Sequence, residues 1–219
     1  MDGPTLLLAI AFAAFGYACG SVPVGVLVAR AIGGPDPRTI GSGRTGTQNS
    51  LRAMGPRGAG LVAIGDFLKG FVPVGLAWVV SDLNVAVEAA AGIAAVIGSC
   101  RSLFLGLSGG RGVVTLAGTM FVIQPEALIV AVPVFVATVI VTHYMSLGSL
   151  LFAASLPLGV VAIGVLGSGA VAWGAVAYAV IGAAIVWIAH ADNIDRLIHG
   201  TERKFDFAML RGKPFSEEG

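Results

Sequence analysis

Three short polar segments interrupt an otherwise apolar chain, and each carries residue types that bind phosphate groups. The first, residues 41–52, reads Gly-Ser-Gly-Arg-Thr-Gly-Thr-Gln-Asn-Ser-Leu-Arg. Its glycines allow positive φ angles that let backbone N–H groups converge on an anion, and its hydroxyl, amide and guanidinium groups add further donors. We predict an anion site here; a flexible linker or a loop that contacts lipid headgroups is the alternative. The candidate residues are Gly41, Ser42, Gly43, Arg44, Gly46, Thr47, Asn49 and Arg52.

The second segment, residues 106–115, is a glycine-rich turn that leads into an apolar run: Gly-Leu-Ser-Gly-Gly-Arg-Gly-Val-Val-Thr. A helix amino terminus exposes N–H groups and the positive end of the helix dipole, so a basic residue beside it predicts a second anion site. The Gly-Lys-Ser/Thr ending of a P-loop is missing. A plain tight turn is the alternative. The candidate residues are Gly109, Gly110, Arg111 and Gly112.

The third segment, residues 190–202, follows the last apolar run. On a helix, His190, Asn193 and Leu197 share one face, so the imidazole and the carboxamide can point at a common site near the membrane interface. An amphipathic anchor is the alternative. The chain shows no metal-ligand spacing, and Cys19 and Cys100 are expected to be small buried side chains, so we predict neither a metal nor a cofactor.

The composition defines the class of protein that must position these segments. Of 219 residues, 56% are hydrophobic and 11% are charged, and the mean hydropathy is +0.90. These values exclude an ordinary soluble domain and a disordered chain, and they predict an all-α polytopic membrane protein with one domain over residues 1–219. The 13 basic and 12 acidic residues form no dense basic face, so a nucleic-acid partner is not expected.

Seven apolar runs are candidate membrane spans: Thr5–Ala29, Gly58–Val80, Leu83–Cys100, Gly112–Ile123, Ala127–Tyr144, Leu147–Leu166 and Gly169–Ala189. The first is expected to continue through Pro23 with a kink, and the fourth is short for a full crossing. All Lys and Arg residues except Lys69 lie after span one, between spans three and four, or in the tail that includes Lys213. The positive-inside rule therefore predicts an odd number of crossings, with the amino terminus outside and the carboxyl terminus in the cytoplasm.

With these residues in view, the chain resembles the PlsY family of acyl-phosphate:glycerol-3-phosphate acyltransferases over nearly its whole length. Gly20–Gly25 resembles the family's Gly-Ser-x-Pro segment, and residues 41–52 resemble its Gly-Ser-Gly-Asn-x-Gly-Ala-Thr-Asn-x-x-Arg motif. Asp66-x-x-Lys69-Gly70, residues 98–115 and residues 190–202 are similar to three further family motifs. The chain departs from the usual family residue at Arg44 (Asn), Gln48 (Thr), Ser99 (His), Ser108 (Lys) and Arg111 (Lys).

The resemblance implies a monomer with seven helices in the bacterial inner membrane and a site that faces the cytoplasm. It implies that acyl phosphate and glycerol 3-phosphate are the substrates, that membrane lipid surrounds the chain, and that Arg52 and Arg111 bind phosphate groups. Ser42 and Thr47, with nearby backbone, would hold the leaving phosphate or the oxyanion, and His190 and Asn193 would orient the acceptor. The remaining substrate-binding residues implied are Gly41, Gly43, Arg44, Gly46, Asn49, Gly109, Gly110, Gly112 and Glu202.

Several alternatives stay open at the level of sequence. His190 or the leaving phosphate can take the proton of the attacking hydroxyl. The departures at Arg44 and Arg111 leave room for a different phosphorylated polyol, and those at Ser99 and Ser108 leave room for a noncatalytic lipid-binding protein. Glycine-rich loops with arginines also suit an anion transporter. Asp66 and Lys69 lie one helical turn apart and are expected to pair with each other within span two.

Overall fold

The structure, a computed structural model, describes residues 2–211, except for the side chain of Ser168. Within them the elements are helices, joined by loops and turns, and one isolated β-bridge links Ser102 and Ser108. The α-helices are α1 (Gly3–Ser21), α2 (Val24–Ile32), α3 (Thr47–Val80), α4 (Val85–Cys100), α5 (Val113–Ile123), α6 (Ala127–Thr142), α7 (Met145–Ile163), α8 (Trp173–Ala189) and α9 (Ala191–Ile198). Lys213, part of the predicted basic tail, lies outside the described residues.

Length and hydropathy identify three described helices as able to cross a membrane, namely α1, α3 and α7 with its continuation to Gly167. The bent pair α8 and α9, with 65° between the two helices, makes a possible fourth. α4, α5 and α6 are apolar but shorter. α5 has 11 residues, which at about 1.5 Å per residue gives only about 16 Å. The fourth apolar run is therefore short, as predicted, while seven crossings remain a prediction.

The close approaches between helices show the direction in which each one runs. α1 and α4 are parallel, because Gly16 packs on Ala91 and Gly20 packs on Ala95. Each of these glycines lies where a side chain would meet the backbone of α4, so the small residues allow the two helices to touch.

The other contacts extend this alternation through the bundle. α3 and α5 are parallel, with Thr115 beside Asp66, and α6 and α7 are antiparallel, with Gly148 beside Val139. α8 runs parallel to α4, since Gly92 lies against Tyr178. α1, α4, α6 and α8 consequently end at one end of the bundle, where α3, α5 and α7 begin. We call this the site end, because all three polar segments lie there.

The prediction of one continuous first span from Thr5 to Ala29 is wrong. α1 ends at Ser21, and α2 starts after Pro23 as a separate nine-residue helix. Proline has no backbone N–H and its ring clashes with the preceding turn, so the helix stops instead of kinking.

The second span also differs from its predicted start at Gly58. α3 begins at Thr47 and contains a break at Gly55, where φ is +68°. The residue before a proline is disfavoured in helical conformation, and Pro56 follows directly. Glycine adopts this positive φ without steric cost, so the first turns of α3 can take a separate direction and carry Arg52 at the site end.

Candidate active site

Residues 41–46 form a loop that is held in shape by Asn49 in the first turn of α3. The buried Asn49 carboxamide oxygen accepts a hydrogen bond from the Ser42 backbone N–H at 3.1 Å, and its nitrogen lies 2.9 Å and 2.8 Å from the carbonyl oxygens of Ile40 and Arg44. Both the oxygen and the nitrogen of the Asn49 side chain are therefore hydrogen-bonded to the backbone of the loop. Asn49 therefore shapes the first anion segment, and its contact with substrate remains a prediction.

The glycines of this loop only partly follow the expected pattern. Gly41 and Gly43 have positive φ angles of +57° and +66°, whereas Gly46 is extended with φ of −78° and forms the start of α3. Gly25 of α2 packs on the carbonyl group of Thr45, where a larger side chain would collide with it. The break at Pro23 thus turns α2 against the loop and supports it from outside.

The second glycine segment meets the first directly. The Gly110 N–H donates to the Ser99 carbonyl oxygen at 2.9 Å, and Gly112, with φ of +75°, forms the N-cap of α5. A Cβ placed on Gly110 would lie 3.7 Å from the Gly46 Cα. Two predicted anion segments, separated by about sixty residues in sequence, therefore form one surface.

Between these segments and the helices lies a chamber of about 280 Å³. Polar groups of the two glycine segments, of α3 and of the end of α8 line it, together with the apolar side chains of Val113, Val114, Phe135 and Met145. The other lining residues are Ser42, Arg44, Gly46, Thr47, Gln48, Asn49, Asp66, Ser99, Gly110, Arg111, Gly112, Thr115, Ser149 and His190. A chamber lined by both polar and apolar groups suits a ligand that has both kinds of group.

His190 lies at the end of α8 and is 2% exposed. Its Nδ1 is 2.8 Å from the Val186 carbonyl oxygen. A carbonyl only accepts, so we assign the proton of the neutral ring to Nδ1 and the lone pair to Nε2. Burial lowers the pKa of His190 to about 4, against the hydrogen bond to Val186 that raises it. The ring is therefore neutral at pH 7 and can accept a hydrogen bond at Nε2.

A second, narrower cavity, the polar cleft, adjoins the chamber. The residues that line it are Ser42, Gln48, Arg52, Arg111, Asn193, Arg196, Glu202 and Arg203. Three of them, Ser42, Gln48 and Arg111, also line the chamber. The two cavities are consequently neighbouring parts of one site.

Charged side chains of α9 and the following residues organise the polar cleft. Arg111 pairs with Asp192 at 2.9 Å, and Arg196 pairs with Glu202 at 2.7 Å. The Asn193 carboxamide donates to the second Glu202 oxygen at 2.7 Å. The third polar segment therefore contacts the second through Asp192, a residue that the sequence analysis did not select.

Burial lowers the pKa values of Arg52 and Arg111 below the usual arginine range. The positive charge of Arg203 acts on Arg52 in the same direction, whereas Asp192 raises the pKa of Arg111. Positive groups crowded in a poorly solvated cleft are stabilised by a bound anion. The electrostatics of the cleft therefore favour a phosphate group.

Within residues 2–211, several buried polar atoms at the site have no hydrogen-bond partner, among them Thr47 Oγ1, Arg111 Nε and Asn193 Oδ1. Buried polar atoms are nearly always satisfied in folded proteins, so exceptions indicate a ligand or water position. Thr47 faces the chamber, Asn193 faces the polar cleft, and Arg111 faces both. Each cavity thus offers free hydrogen-bonding capacity.

The structure brings most of the predicted residues together. The chamber contains Ser42, Arg44, Gly46, Thr47, Asn49, Gly110, Arg111, Gly112 and His190, and the polar cleft contains Arg52, Asn193 and Glu202. Gly41, Gly43 and Gly109 line neither cavity. The first two turn the loop, and Gly109 packs on the carbonyl groups of Ser99 and Cys100.

Some site residues were not selected from the sequence as ligand contacts. Asp66 and Lys69 form the expected ion pair at 2.8 Å, which confirms that prediction, but Asp66 also lines the chamber. Arg196 and Arg203 line the polar cleft. The sequence did contain a signal for these two arginines, because Arg196 and Arg203 lie on either side of Glu202 near the end of the third segment.

The departures from the family pattern also have distinct places. The Thr115 hydroxyl donates to the Asp66 carbonyl oxygen at 3.0 Å and lies 3.0 Å from the Ser99 hydroxyl, so Ser99 completes a hydrogen-bonded chamber wall. Ser108 is exposed and lines neither cavity, whereas Arg44 lines the chamber. The chamber's cations therefore come from Arg44 and Arg111.

Comparison with known proteins gives a consistent result. A family model described as glycerol-3-phosphate acyltransferase matches residues 10–200. The glycerol-3-phosphate acyltransferase of Geobacter sulfurreducens is 38% identical over 192 residues, covering 88% of this chain and 95% of that protein. The protein of the same name from Rubrobacter xylanophilus is 37% identical over 199 residues, covering 91% of this chain and 96% of that protein.

Solved structures agree with the sequence comparison. The crystal structure of PlsY, described as an integral membrane glycerol 3-phosphate acyltransferase in its glycerol 3-phosphate form, has a TM-score of 0.81 and 30% identity, covering 94% of this chain and 99% of PlsY. The lysophosphatidic acid form has a TM-score of 0.80 with the same coverage. The family-model match contains the first two polar segments and residues 190–200 of the third. This multi-pass membrane chain therefore belongs to the glycerol-3-phosphate acyltransferase family.

Proposed function

We propose that this chain transfers a fatty acyl group from acyl phosphate to the 1-hydroxyl of glycerol 3-phosphate, giving lysophosphatidic acid and inorganic phosphate. Family membership and the likeness to PlsY in its glycerol 3-phosphate and lysophosphatidic acid forms support the acceptor and the product. The observation that carries the proposal is the junction of the two cavities at Arg111, because an acyl donor and a phosphorylated acceptor need adjacent sites of different polarity.

The chemistry of each cavity assigns one substrate to it. The polar cleft, with Arg52, Arg111 and Asn193, binds the phosphate and hydroxyl groups of glycerol 3-phosphate. In the chamber, the acyl chain lies toward Phe135 and Met145, and its carbonyl and phosphate lie toward the glycine segments. Ser42 and Thr47, with backbone N–H groups of residues 41–46, stabilise the developing oxyanion or the leaving phosphate.

The reaction is a direct acyl transfer. The acceptor's 1-hydroxyl oxygen attacks the acyl carbonyl carbon, the new ester bond forms, and the bond between that carbon and the phosphate oxygen breaks, with its electron pair leaving on phosphate. The lowered His190 pKa, about 4, makes Nε2 a weaker base than the departing inorganic phosphate, because doubly charged phosphate groups take up a proton with a pKa of about 6 or above. We therefore assign the final proton to the departing phosphate and assign His190 to orienting the hydroxyl.

The proposed setting is the bacterial inner membrane, crossed seven times by a monomer whose site faces the cytoplasm. Two features support this topology. The seven apolar helices α1 and α3–α8 alternate in direction, and the basic residues are concentrated at the site end. An odd number of crossings places the amino terminus outside, in agreement with the positive-inside rule.

The test is phosphate release by the purified protein given palmitoyl phosphate, with and without glycerol 3-phosphate. Acceptor-dependent release with matching formation of lysophosphatidic acid is expected. Arg52→Ala should abolish most of it, whereas Arg57→Ala, an exposed cation on the same helix, should not. Palmitoyl thioester of acyl carrier protein serves as the rival donor. Turnover of that thioester alone would refute the donor assignment, and no turnover of any donor by folded protein would refute the enzyme.

A further inference from the structure

Residues 201–211, which we call the strap, leave α9 and return across the site end. The family model ends at residue 200, so the strap lies beyond the matched region. Its first part lies in the polar cleft: Glu202 is held by Asn193 and Arg196, and Arg203 lines the same cavity. The strap is therefore part of the wall of the proposed acceptor site.

The second part of the strap is anchored in the protein. The Phe205 backbone N–H donates to the His143 carbonyl oxygen at 2.6 Å, and the side chains of Phe205 and Met209 are 5% and 4% exposed. Both pack in an apolar cluster with Leu51 and Ala59 of α3. Burial of two large apolar side chains at the end of an irregular segment fixes its path.

This anchor acts on the polar cleft from two sides. Leu51 precedes Arg52 directly, and Phe205 follows Arg203 by two residues, a distance of at most about 7 Å along an extended chain. One apolar cluster therefore holds the backbone at both arginines. These guanidinium groups are close enough for the charge of Arg203 to lower the pKa of Arg52.

Arg203 differs from the other cations of the cleft. Arg111 and Arg196 pair with carboxylates, while Arg203 is exposed and forms no ion pair with any carboxylate in residues 2–211. The cleft volume is about 10 Å³, which is room for about one water molecule. A phosphate group must consequently move a guanidinium group to enter, and the exposed Arg203 has the most freedom to move.

We propose that Arg203 binds the phosphate of glycerol 3-phosphate opposite Arg52, and that Phe205 and Met209 are positioning residues that hold the strap in place for it. The inference rests on the proposed function and extends the acceptor site beyond the family motifs. The proposal assigns phosphate binding to Arg203 and not to the next residue, Lys204, which is exposed and lines neither cavity.

The experiment measures KM for glycerol 3-phosphate, KM for palmitoyl phosphate and kcat in the full chain. Arg203→Ala should raise the acceptor KM about tenfold with little change in the donor KM, because a charge-assisted contact to phosphate is lost. Arg203→Lys should recover part of the affinity. Lys204→Ala is the matched control and should behave as wild type. Equal acceptor KM values for Arg203→Ala and Lys204→Ala would overturn the assignment of Arg203 to the acceptor phosphate. Activity of the wild-type protein in the same assay would leave the proposed function intact.

The positioning role is tested with Phe205→Ala and Phe205→Leu. Phe205→Ala should raise the acceptor KM about threefold without a change in donor KM, and the apolar Phe205→Leu should restore it. Leu210→Ala, an exposed position on the same strap, is the control. An equal rise in both KM values, or a loss of kcat alone, would overturn the positioning role. If Phe205→Ala does not fold, Met209→Ala replaces it, because Met209 belongs to the same apolar cluster. An acceptor KM equal to wild type in folded Met209→Ala would overturn the positioning role.

Discussion

The chamber and the polar cleft are neighbours, yet they provide positive potential in different ways. The chamber uses backbone N–H groups, the amino terminus of α5 and small polar side chains, with Arg44 and Arg111 as its cations. The polar cleft uses four guanidinium groups, two of which are already paired with Asp192 or Glu202. Fixed dipoles need little reorganisation during reaction, whereas paired side chains must exchange partners when a ligand binds.

In the proposed reaction, this difference lets one site treat the phosphate of the donor and the phosphate of the acceptor differently. A carbonyl oxygen that becomes an oxyanion is stabilised best by hydrogen-bond donors that are already in place. The loops around Asn49 and Gly110 are held in this way. An acceptor that binds and leaves as part of a larger lipid product is better served by cations with alternative partners. Substitutions in the two cavities should therefore affect different kinetic constants.

The largest effect is expected at His190, which faces the chamber and directly precedes the helix that forms the cleft. His190→Ala removes the hydrogen-bond acceptor for the attacking hydroxyl, so kcat should fall about 100-fold or more, with smaller changes in both KM values. The measurement is steady-state kinetics alongside thermal unfolding in detergent. A folded variant that keeps half of the wild-type kcat would contradict the role.

Arg111 links the two cavities, so its loss should affect both substrates. Arg111→Ala leaves Asp192 without its nearer cation and removes a phosphate donor, and kcat/KM should fall about 30-fold for acceptor and donor alike. Arg101→Ala is the control, because Arg101 lies on the same connection but is exposed and outside both cavities. A change confined to one substrate would show that Arg111 serves one cavity only.

Arg44 and Arg52 should separate the cavities. Arg44→Ala should raise KM for the acyl donor about fivefold and leave the acceptor KM close to wild type, since Arg44 lines the chamber alone. Arg52→Ala should have the opposite selectivity: the acceptor KM rises enough to suppress most of the acceptor-dependent release, and the donor KM stays close to wild type. If Arg44→Ala raised the acceptor KM instead, the assignment of one substrate to each cavity would be wrong.

Much of this arrangement follows from the sequence because it depends on local chemistry. Apolar run length and charge placement predicted a helical membrane protein with its polar segments at one end. The spacing of Asp66 and Lys69 predicted their ion pair, which the structure confirms. Composition and i, i+3 spacing are sufficient for features of this kind.

Other features depend on packing between distant segments. The sequence did not predict the end of α1 at Ser21, because a proline in a membrane helix is compatible with both a kink and a break. The choice between them depends on where α2 packs, which is against Thr45. Asp192 and Arg203 were not selected because Asp192 meets its partner Arg111, and Arg203 lines a cavity with Arg52, only in the folded chain. Local periodicity contains no information on such contacts.

The smallest expected effect is a pH dependence of stability that separates the chamber from the polar cleft. Burial lowers the His190 pKa from 6.5 to about 4, so the folded protein favours the neutral ring. The contribution of His190 to the free energy of unfolding is complete above pH 6.5 and is lost as the pH falls toward 4. Between pH 7.5 and pH 5, the free energy of unfolding falls by about 2 kcal/mol for this reason.

The cleft should keep its charges over that interval. Burial alone would raise the Asp192 pKa, but Arg111 outweighs it and the pKa lies below the usual range. Wild-type Tm should therefore drop by about 5 °C more than that of His190→Gln between pH 7.5 and 5. Thermal unfolding of both proteins at the two pH values measures this difference. Equal drops would mean that His190 is solvated in the folded state, and the contrast between a neutral His190 in the chamber and a charged polar cleft would then be wrong.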